Sequence, residues 1–441
     1  MMFAWLKRRP WPHAIGWLAF LAPLFYLSYG WANHLAGQAS AQGQVPSVVF
    51  DWERHIPFWQ ETIFPYWSIN FFYGLSLFLA RTRHELKRHA LRLLTVQALA
   101  VACFIVWPLR FTFGQPPADG LSGLLFAALR GFDQPFNQAP SLHIALAVIL
   151  WDLYRRQIHA PAARWLLHGW TLAICGAVLT TYQHHFIDIP TGALLGVVCV
   201  WLWPLERVAS MPQAWQTTHS WQRQKLALTY GAAALAFAVL ALAPWLGRDV
   251  ALWLLWPTAS MCVVALCYLG LGARGFQMNR RGQMHWTSRW LLGPYRAGAW
   301  LNARLWTRRL PLASEVRPGL FLGRLPSHGE WLAAGQPSIV SLCAELQNVD
   351  ANHGRCVPVL DLTSPCAATL QRAALIISAR HQAKQTVWVC CALGFSRSAH
   401  ALVHSLTQSG AFTSVEHARH AVQQARPQVV LGQPAARPPH E

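Results

Sequence analysis

Val389-Cys390-Cys391-Ala392-Leu393-Gly394-Phe395-Ser396-Arg397-Ser398 is the stretch on which the reading of this chain turns. The residues before it, Thr386–Val389, are β-branched and apolar, and those after it, Ala399–Leu406, read as a helix. A strand feeding a tight loop that opens a helix aims successive backbone N–H groups and the positive helix end at one point, where an anion can sit. The same field favours the thiolate of a cysteine at the loop start, here Cys391. Arg397, with Gly394 between it and the cysteine, can fork onto two oxygens of a phosphate. The Ser398 hydroxyl is placed to hydrogen-bond the sulfur as it leaves. A blander reading makes Cys390 and Cys391 small buried hydrophobes at a strand end. It leaves the arginine, glycine and serine at these offsets unexplained.

The pattern resembles the signature of the protein tyrosine and dual-specificity phosphatase superfamily. That resemblance implies Cys391 as nucleophile and Arg397 as phosphate clamp, with Gly394 and Ser398 as further phosphate-binding positions. The family usually has His where this chain has Cys390, a position that supports the loop. Residues 313–431 are long enough for one small core. Strands are expected at Leu320–Leu322, Ile339–Leu342, Val357–Leu360 and Thr386–Val389, with helices at Ala367–Ala383, Ala399–Gly410 and Val415–Ala425. This alternation implies an α/β layer with a parallel-rich sheet. The resemblance runs from Gly319-Leu320-Phe321-Leu322-Gly323 to Ala425-Arg426-Pro427. Asp361 matches the family's acid-loop position and is expected to protonate the leaving oxygen, with Glu345 and Asp350 as alternatives. Cysteine attack needs no metal, so no cofactor is expected, and without a Cys-x-x-Cys pair a zinc site is not expected either.

The rest of the chain has a different character. It has 441 residues, 24 of them Trp, and only 12% are charged; mean hydropathy is +0.24. Several segments are long enough to span a bilayer. Reading along the chain gives about eight: His13–Trp31, Phe64–Ala80, Leu91–Phe111, Leu142–Tyr154, Trp165–Thr181, Ile187–Trp203, Leu228–Leu246 and Val250–Leu271. The expected architecture is a polytopic α-helical membrane domain (residues 1–272, with a six-helix core) followed by the small α/β domain. A net charge of +19 would suggest nucleic acid in a soluble protein. Here the basic residues cluster in alternate loops: Lys7, Arg8 and Arg9; Arg81, Arg83, Lys87, Arg88 and Arg92; Arg155, Arg156 and Arg164; Arg207, Arg223 and Lys225; Arg274, Arg280 and Arg281. Nucleic acid is therefore not an expected partner. The positive-inside rule puts both termini in the cytoplasm of a multi-pass inner-membrane protein. None of the 10 cysteines falls in an expected external loop, so no disulfide framework is implied.

By this topology two segments meet at the external face. One ends Pro140-Ser141-Leu142-His143; the other runs His184-His185-Phe186-Ile187-Asp188. A histidine and an aspartate four positions apart share a helix face, so Asp188 can hold the His184 ring in one tautomer and raise its basicity. His143 can then protonate a leaving group. These segments resemble the type 2 phosphatidic acid phosphatase superfamily, and within it the inositol-phosphotransferase-like branch. The family's proline-serine-glycine-histidine motif is matched by Pro140, Ser141 and His143, with Leu142 in place of glycine. Its histidine-x3-aspartate motif falls on His184 and Asp188. The resemblance implies a phosphohistidine at His184, orientation by Asp188, and His143 as acid. Its basic first motif is thinly kept: Arg110 remains, Gln115 precedes Pro116, and Arg110 with Arg130 would hold the phosphate alongside Ser141. His185, next to His184, is the alternative nucleophile.

Between the two halves, residues 273–312 are basic and Trp-rich and read as a stretch lying on anionic lipid. Residues 432–441 read as a disordered tail. The whole describes a membrane phosphatase with an external His/Asp site and a cytoplasmic Cys/Arg site, acting on phospholipid phosphate or phosphoprotein. Alternatives keep the same residues: head-group phosphoryl transfer to an alcohol, or a lipid-phosphate-binding module tethering the cysteine phosphatase. A transporter fits poorly, because no charged pair is expected mid-span.

Overall fold

The computed structural model describes residues 9–206, 220–243 and 247–432. Lys7, Arg8, Arg207 and the tail from 433 lie outside the described residues. The chain divides into two compact units: 9–206 with 247–252, and 220–243 with 253–432.

The first unit is helical: α1 (Trp11–Ala41), α2 (Ile63–Leu79), α3 (Arg83–Val106), α4 (Gly120–Arg130), α5 (Leu142–Gln157), α6 (Pro161–Thr180) and α7 (Asp188–Leu202). Ile63, Tyr66, Phe126, Leu129, Ile144, Ala177 and Val178 form a buried apolar cluster joining α2, α4, α5 and α6. Large apolar side chains such as Leu27, Phe71, Trp165 and Leu172 are exposed on the outside, as expected of helices whose solvent is hydrocarbon. Among the described residues, five helical segments are long and apolar enough to cross a membrane: α1, α3, α6, α8 (Trp221–Ala241) and Ala251–Phe276, which continues α9 (Arg248–Leu266). The expected spans at α2, α5 and α7 are helices of 17, 16 and 15 residues. The amphipathic α4 was not expected.

Helices α5 and α7 touch at backbone distance. A Cβ on Gly192 would lie 2.5 Å from Ser141 O, and one on Gly196 would lie 2.7 Å from Ala145 O. Small residues at a helix crossing permit this approach. A buried ion pair absent from the sequence reading joins α3 to α5: Arg92 Nη1 to Asp152 Oδ2 at 3.0 Å, both fully buried. Arg155 and Arg156 also bond Asp152, so this charge lies at the basic end of the bundle.

The second unit holds α8, most of α9, α10 (Trp286–Leu291), α11 (Gly293–Thr307) and an α/β core. The sequence reading assigned α8 and α9 to the membrane domain; three tyrosines explain their grouping here. Tyr268 stacks on Tyr230 at 5.5 Å, and Tyr230 meets Tyr295 of α11 edge-on at 5.6 Å. The core comprises β1 (Ala313–Arg317), β2 (Leu320–Arg324), α12 (His328–Ala333), β3 (Ser338–Cys343), β4 (Arg355–Val359), α13 (Ala367–Gln382), β5 (Val387–Cys391), α14 (Arg397–Gln408) and α15 (Val415–Ala425). The sheet order is β1-β2-β5-β3-β4, parallel except for the β1–β2 hairpin. Central β5 is buried throughout, which fits a strand covered on both faces. α13, α14 and α15 cover one face through Leu370, Ile377, Leu402, Leu406 and Val422. On the other face Ala303 of α11 packs with Ile339, Trp388 and Cys390. The stretch expected to lie on lipid therefore supplies part of this core, while Trp300, Leu301 and Trp306 remain exposed on α11.

Gly192→Val should destabilise the first unit by about 1–3 kcal/mol, because the crossing cannot open without disturbing the α5 N-terminus. A lowered thermal midpoint of detergent-purified protein checks this.

Candidate active sites

Cys391 ends β5 and Arg397 opens α14, so the loop between them sits at the carboxyl edge of a central parallel strand, where α/β sheets place ligands. Gly394 has φ +76°, and a Cβ there would lie 2.3 Å from the Gly323 backbone. The loop therefore passes against β2 through a position only glycine fills. Cys391 Sγ accepts hydrogen bonds from Gly394 N–H and from the Ser398 hydroxyl, each at 3.3 Å. Three of the four expected residues, Cys391, Gly394 and Ser398, are thus joined at the sulfur, and the fourth, Arg397, opens the helix that follows. Cys390 points to the opposite face, fully buried, and burial pushes its thiol well up. It packs as a core residue.

Arg397 is 3% exposed and fully engaged. Nη1 donates to Glu345 Oε2 and Val359 O, each at 2.9 Å; Nη2 donates to Glu345 Oε1 and Asp361 Oδ1, each at 2.7 Å. Burial alone would lower this guanidinium's pKa, but the two carboxylates more than reverse that. For Glu345, burial raises and Arg397 lowers, and the net position is below the ordinary range. Glu345, weighed as an alternative acid, is instead the aiming partner of the arginine, because its carboxylate is spent on a two-pronged buried pair. Asp350 accepts from His353 N–H at 2.8 Å, within its own turn. Asp361 follows β4, retains solvent access, and is held above the ordinary carboxylate range by burial, against the downward pull of Arg397. A carboxyl poised upward beside the phosphate clamp suits an acid.

In the first unit, His184 Nδ1 lies 2.9 Å from Asp188 Oδ2, both side chains buried. The His143 ring centre is 5.9 Å from that of His184 and stacks on Tyr66 at 4.0 Å. Ser141 caps α5, its hydroxyl accepting from Ile144 N–H at 3.3 Å, while its own N–H donates to Asp188 O at 3.2 Å. The close α5–α7 crossing thereby sets the two histidines side by side. His185 is engaged at both ring nitrogens, by Glu53 Oε2 at 2.9 Å and by Thr112. Its ring also stacks on Phe111 at 4.4 Å. His184 is therefore the histidine left with an uncommitted Nε2 among the described residues. Among the same residues, no hydrogen bond or ion pair ties the exposed Arg110 side chain to this centre, and Arg130 donates to Gln115. Sequence reasoning missed Glu53; its signal was a carboxylate between Trp52 and Arg54 in a chain with only 17 acidic residues.

No protein-family model matches the chain, and no curated protein matches it. Among solved structures, the active form of Tk-PTP is 23% identical over 27% of this chain and 88% of that one, with TM-score 0.25. Human DUSP28 is 25% identical over 28% and 86%, TM-score 0.25. PTPMT1 in complex with PI(5)P is 18% identical over 28% and 88%, TM-score 0.25.

Two outcomes are expected. Glu345→Ala removes the two-pronged buried partner of Arg397, leaving it only the partly exposed Asp361 and Val359 O, and should cost about 3 kcal/mol, seen as a lowered melting midpoint. Because the folded Glu345 carboxyl is depressed, its stabilisation is present above the ordinary glutamate value and is lost as pH falls through its folded one. Asp361→Asn should remove the basic limb of the kcat/KM pH profile, which in the parent lies above the ordinary carboxylate range.

Proposed function

We propose that the chain is a membrane-bound phosphatase, and that the second unit hydrolyses phosphomonoesters through a phosphocysteine at Cys391. The observation that carries this is the single point on which Gly394 N–H, the Ser398 hydroxyl and the α14 N-terminus converge at Cys391, with Arg397 held alongside by Glu345. Attack forms an Sγ–P bond and breaks the P–O bond, while Asp361 gives its proton to the leaving oxygen. Water then cleaves the thiophosphate and returns a proton to Asp361. A phosphate entering the loop competes with Asp361 for Arg397, so substrate binding frees the carboxyl to act.

The His184–Asp188 pair with His143 supports a second centre that works through phosphohistidine, facing the side opposite the cytoplasm by the pattern of basic loops. The basic loops likewise favour an inner-membrane location with both termini cytoplasmic. Exposed apolar helices beside both centres favour phospholipid phosphate as substrate over phosphoprotein. The transfer reading is favoured by a cavity of roughly 150 Å³ beside His143, mostly apolar in its lining with Asp133 and Tyr29 among its polar groups. Such a space beside His143 suits an alcohol acceptor.

Phosphate release by detergent-purified protein from phosphatidic acid, phosphatidylglycerophosphate and a phosphotyrosine peptide tests both centres. Cys391→Ser and His184→Ala should each abolish release from a different subset. Unchanged release in Cys391→Ser would refute the cysteine mechanism, and unchanged release in His184→Ala would refute hydrolysis at the histidine.

A further inference from the structure

The loop carrying Asp361 is fastened from outside the α/β core. Asp361 O accepts a hydrogen bond from the Tyr268 hydroxyl at 2.9 Å, and the next carbonyl, Leu362 O, accepts from Gln222 Nε2 at 2.7 Å. Tyr268 is fully buried just beyond α9, and Gln222 lies in the first turn of α8. Gln222 therefore sits at the start of one segment long and apolar enough to cross a membrane, and Tyr268 lies in the C-terminal third of another, Ala251–Phe276. Between the two fastened carbonyls, Leu362 is 57% exposed and has φ +55°. A side-chain-bearing residue stays in the left-handed region only where its surroundings fix it, and the two fasteners are that fixture. Within the loop itself, the Thr363 hydroxyl donates to Leu360 O at 2.8 Å.

We propose that Tyr268 and Gln222 are positioning residues that hold the Asp361 loop in its proton-donating place, so that α8 and α9 form part of the catalytic unit of the cysteine phosphatase as well as its anchor. This rests on Asp361 being the general acid. As the P–O bond breaks, a more basic leaving group such as unsubstituted phenolate needs the proton of Asp361, whereas the weakly basic nitrophenolate departs without it. Misplacing the loop therefore slows phosphocysteine formation, which kcat/KM reports, only for substrates with poor leaving groups. A merely structural loss would slow both kinds.

The experiment uses the full chain in proteoliposomes, with His184→Ala as background to silence the other centre. Turnover of phenyl phosphate (poor leaving group) and p-nitrophenyl phosphate (good leaving group) is compared for Tyr268→Phe, Gln222→Ala and Asp361→Asn. Tyr268→Phe and Gln222→Ala should each lower kcat/KM for phenyl phosphate roughly fivefold, the net worth of one hydrogen bond, and change kcat/KM for the nitrophenyl ester by less than about twofold. Asp361→Asn should show the same asymmetry more strongly. Equal losses on both substrates, or none on either, in Tyr268→Phe and Gln222→Ala would overturn the proposal while leaving the acid assignment standing. Loss of the asymmetry in Asp361→Asn would overturn the acid assignment and the proposal with it.

Discussion

The buried pairing of Arg397 with Glu345 is the constraint on which the cysteine centre depends. A guanidinium and a carboxylate, each almost wholly removed from water, must satisfy one another or pull the fold apart. Here both carboxylate oxygens are used, and the remaining reach of the arginine goes to Val359 O and Asp361. One side chain thus ties the start of α14 to the segment after β3, the end of β4 and the acid loop. The clamp that would hold a phosphate is pre-aimed before any phosphate arrives. Under the proposed mechanism, binding would exchange a carboxylate neighbour for a phosphate rather than order a free arginine, which saves conformational entropy.

Local chemistry made this half legible in advance. The Cys391-to-Arg397 loop, the strand before it and the helix after it follow from composition within a dozen residues, and α15 was expected at its observed bounds. What escaped was tertiary. β1 (Ala313–Arg317) has a mixed burial pattern and exists because it pairs with β2. α12 is one short turn closed by a Ser327–Glu330 capping box. Glu345 looked like an acid because nothing within its own neighbourhood names the arginine 52 positions on that consumes it. The basic, Trp-rich stretch read as lipid-facing from its composition, Tyr295 included; Tyr295 and Ala303 are buried in the fold.

The histidine centre shows the same division. His184 and Asp188 lie one helical turn apart, so their pairing is written in the spacing. The approach of His143 depends on Gly192 and Gly196, whose missing side chains let α5 and α7 touch. The distinction between His184 and His185 likewise comes from distant partners: Glu53 and Thr112 occupy His185, while the Nε2 of His184 is uncommitted among the described residues. In the second unit, then, the candidate nucleophile and clamp come from one short motif and the clamp is held by a carboxylate 52 positions away; in the first, the remote carboxylate, Glu53, serves to separate His185 from His184.

Rapid-quench mass spectrometry of the purified chain during turnover of a phosphomonoester tests the central chemistry most directly. A phosphocysteine mechanism predicts one phosphoryl group on the peptide containing Cys391, accumulating in Asp361→Asn and absent in Arg397→Ala. Release of phosphate with Cys391 unmodified at every time point, in a His184→Ala background, would contradict it.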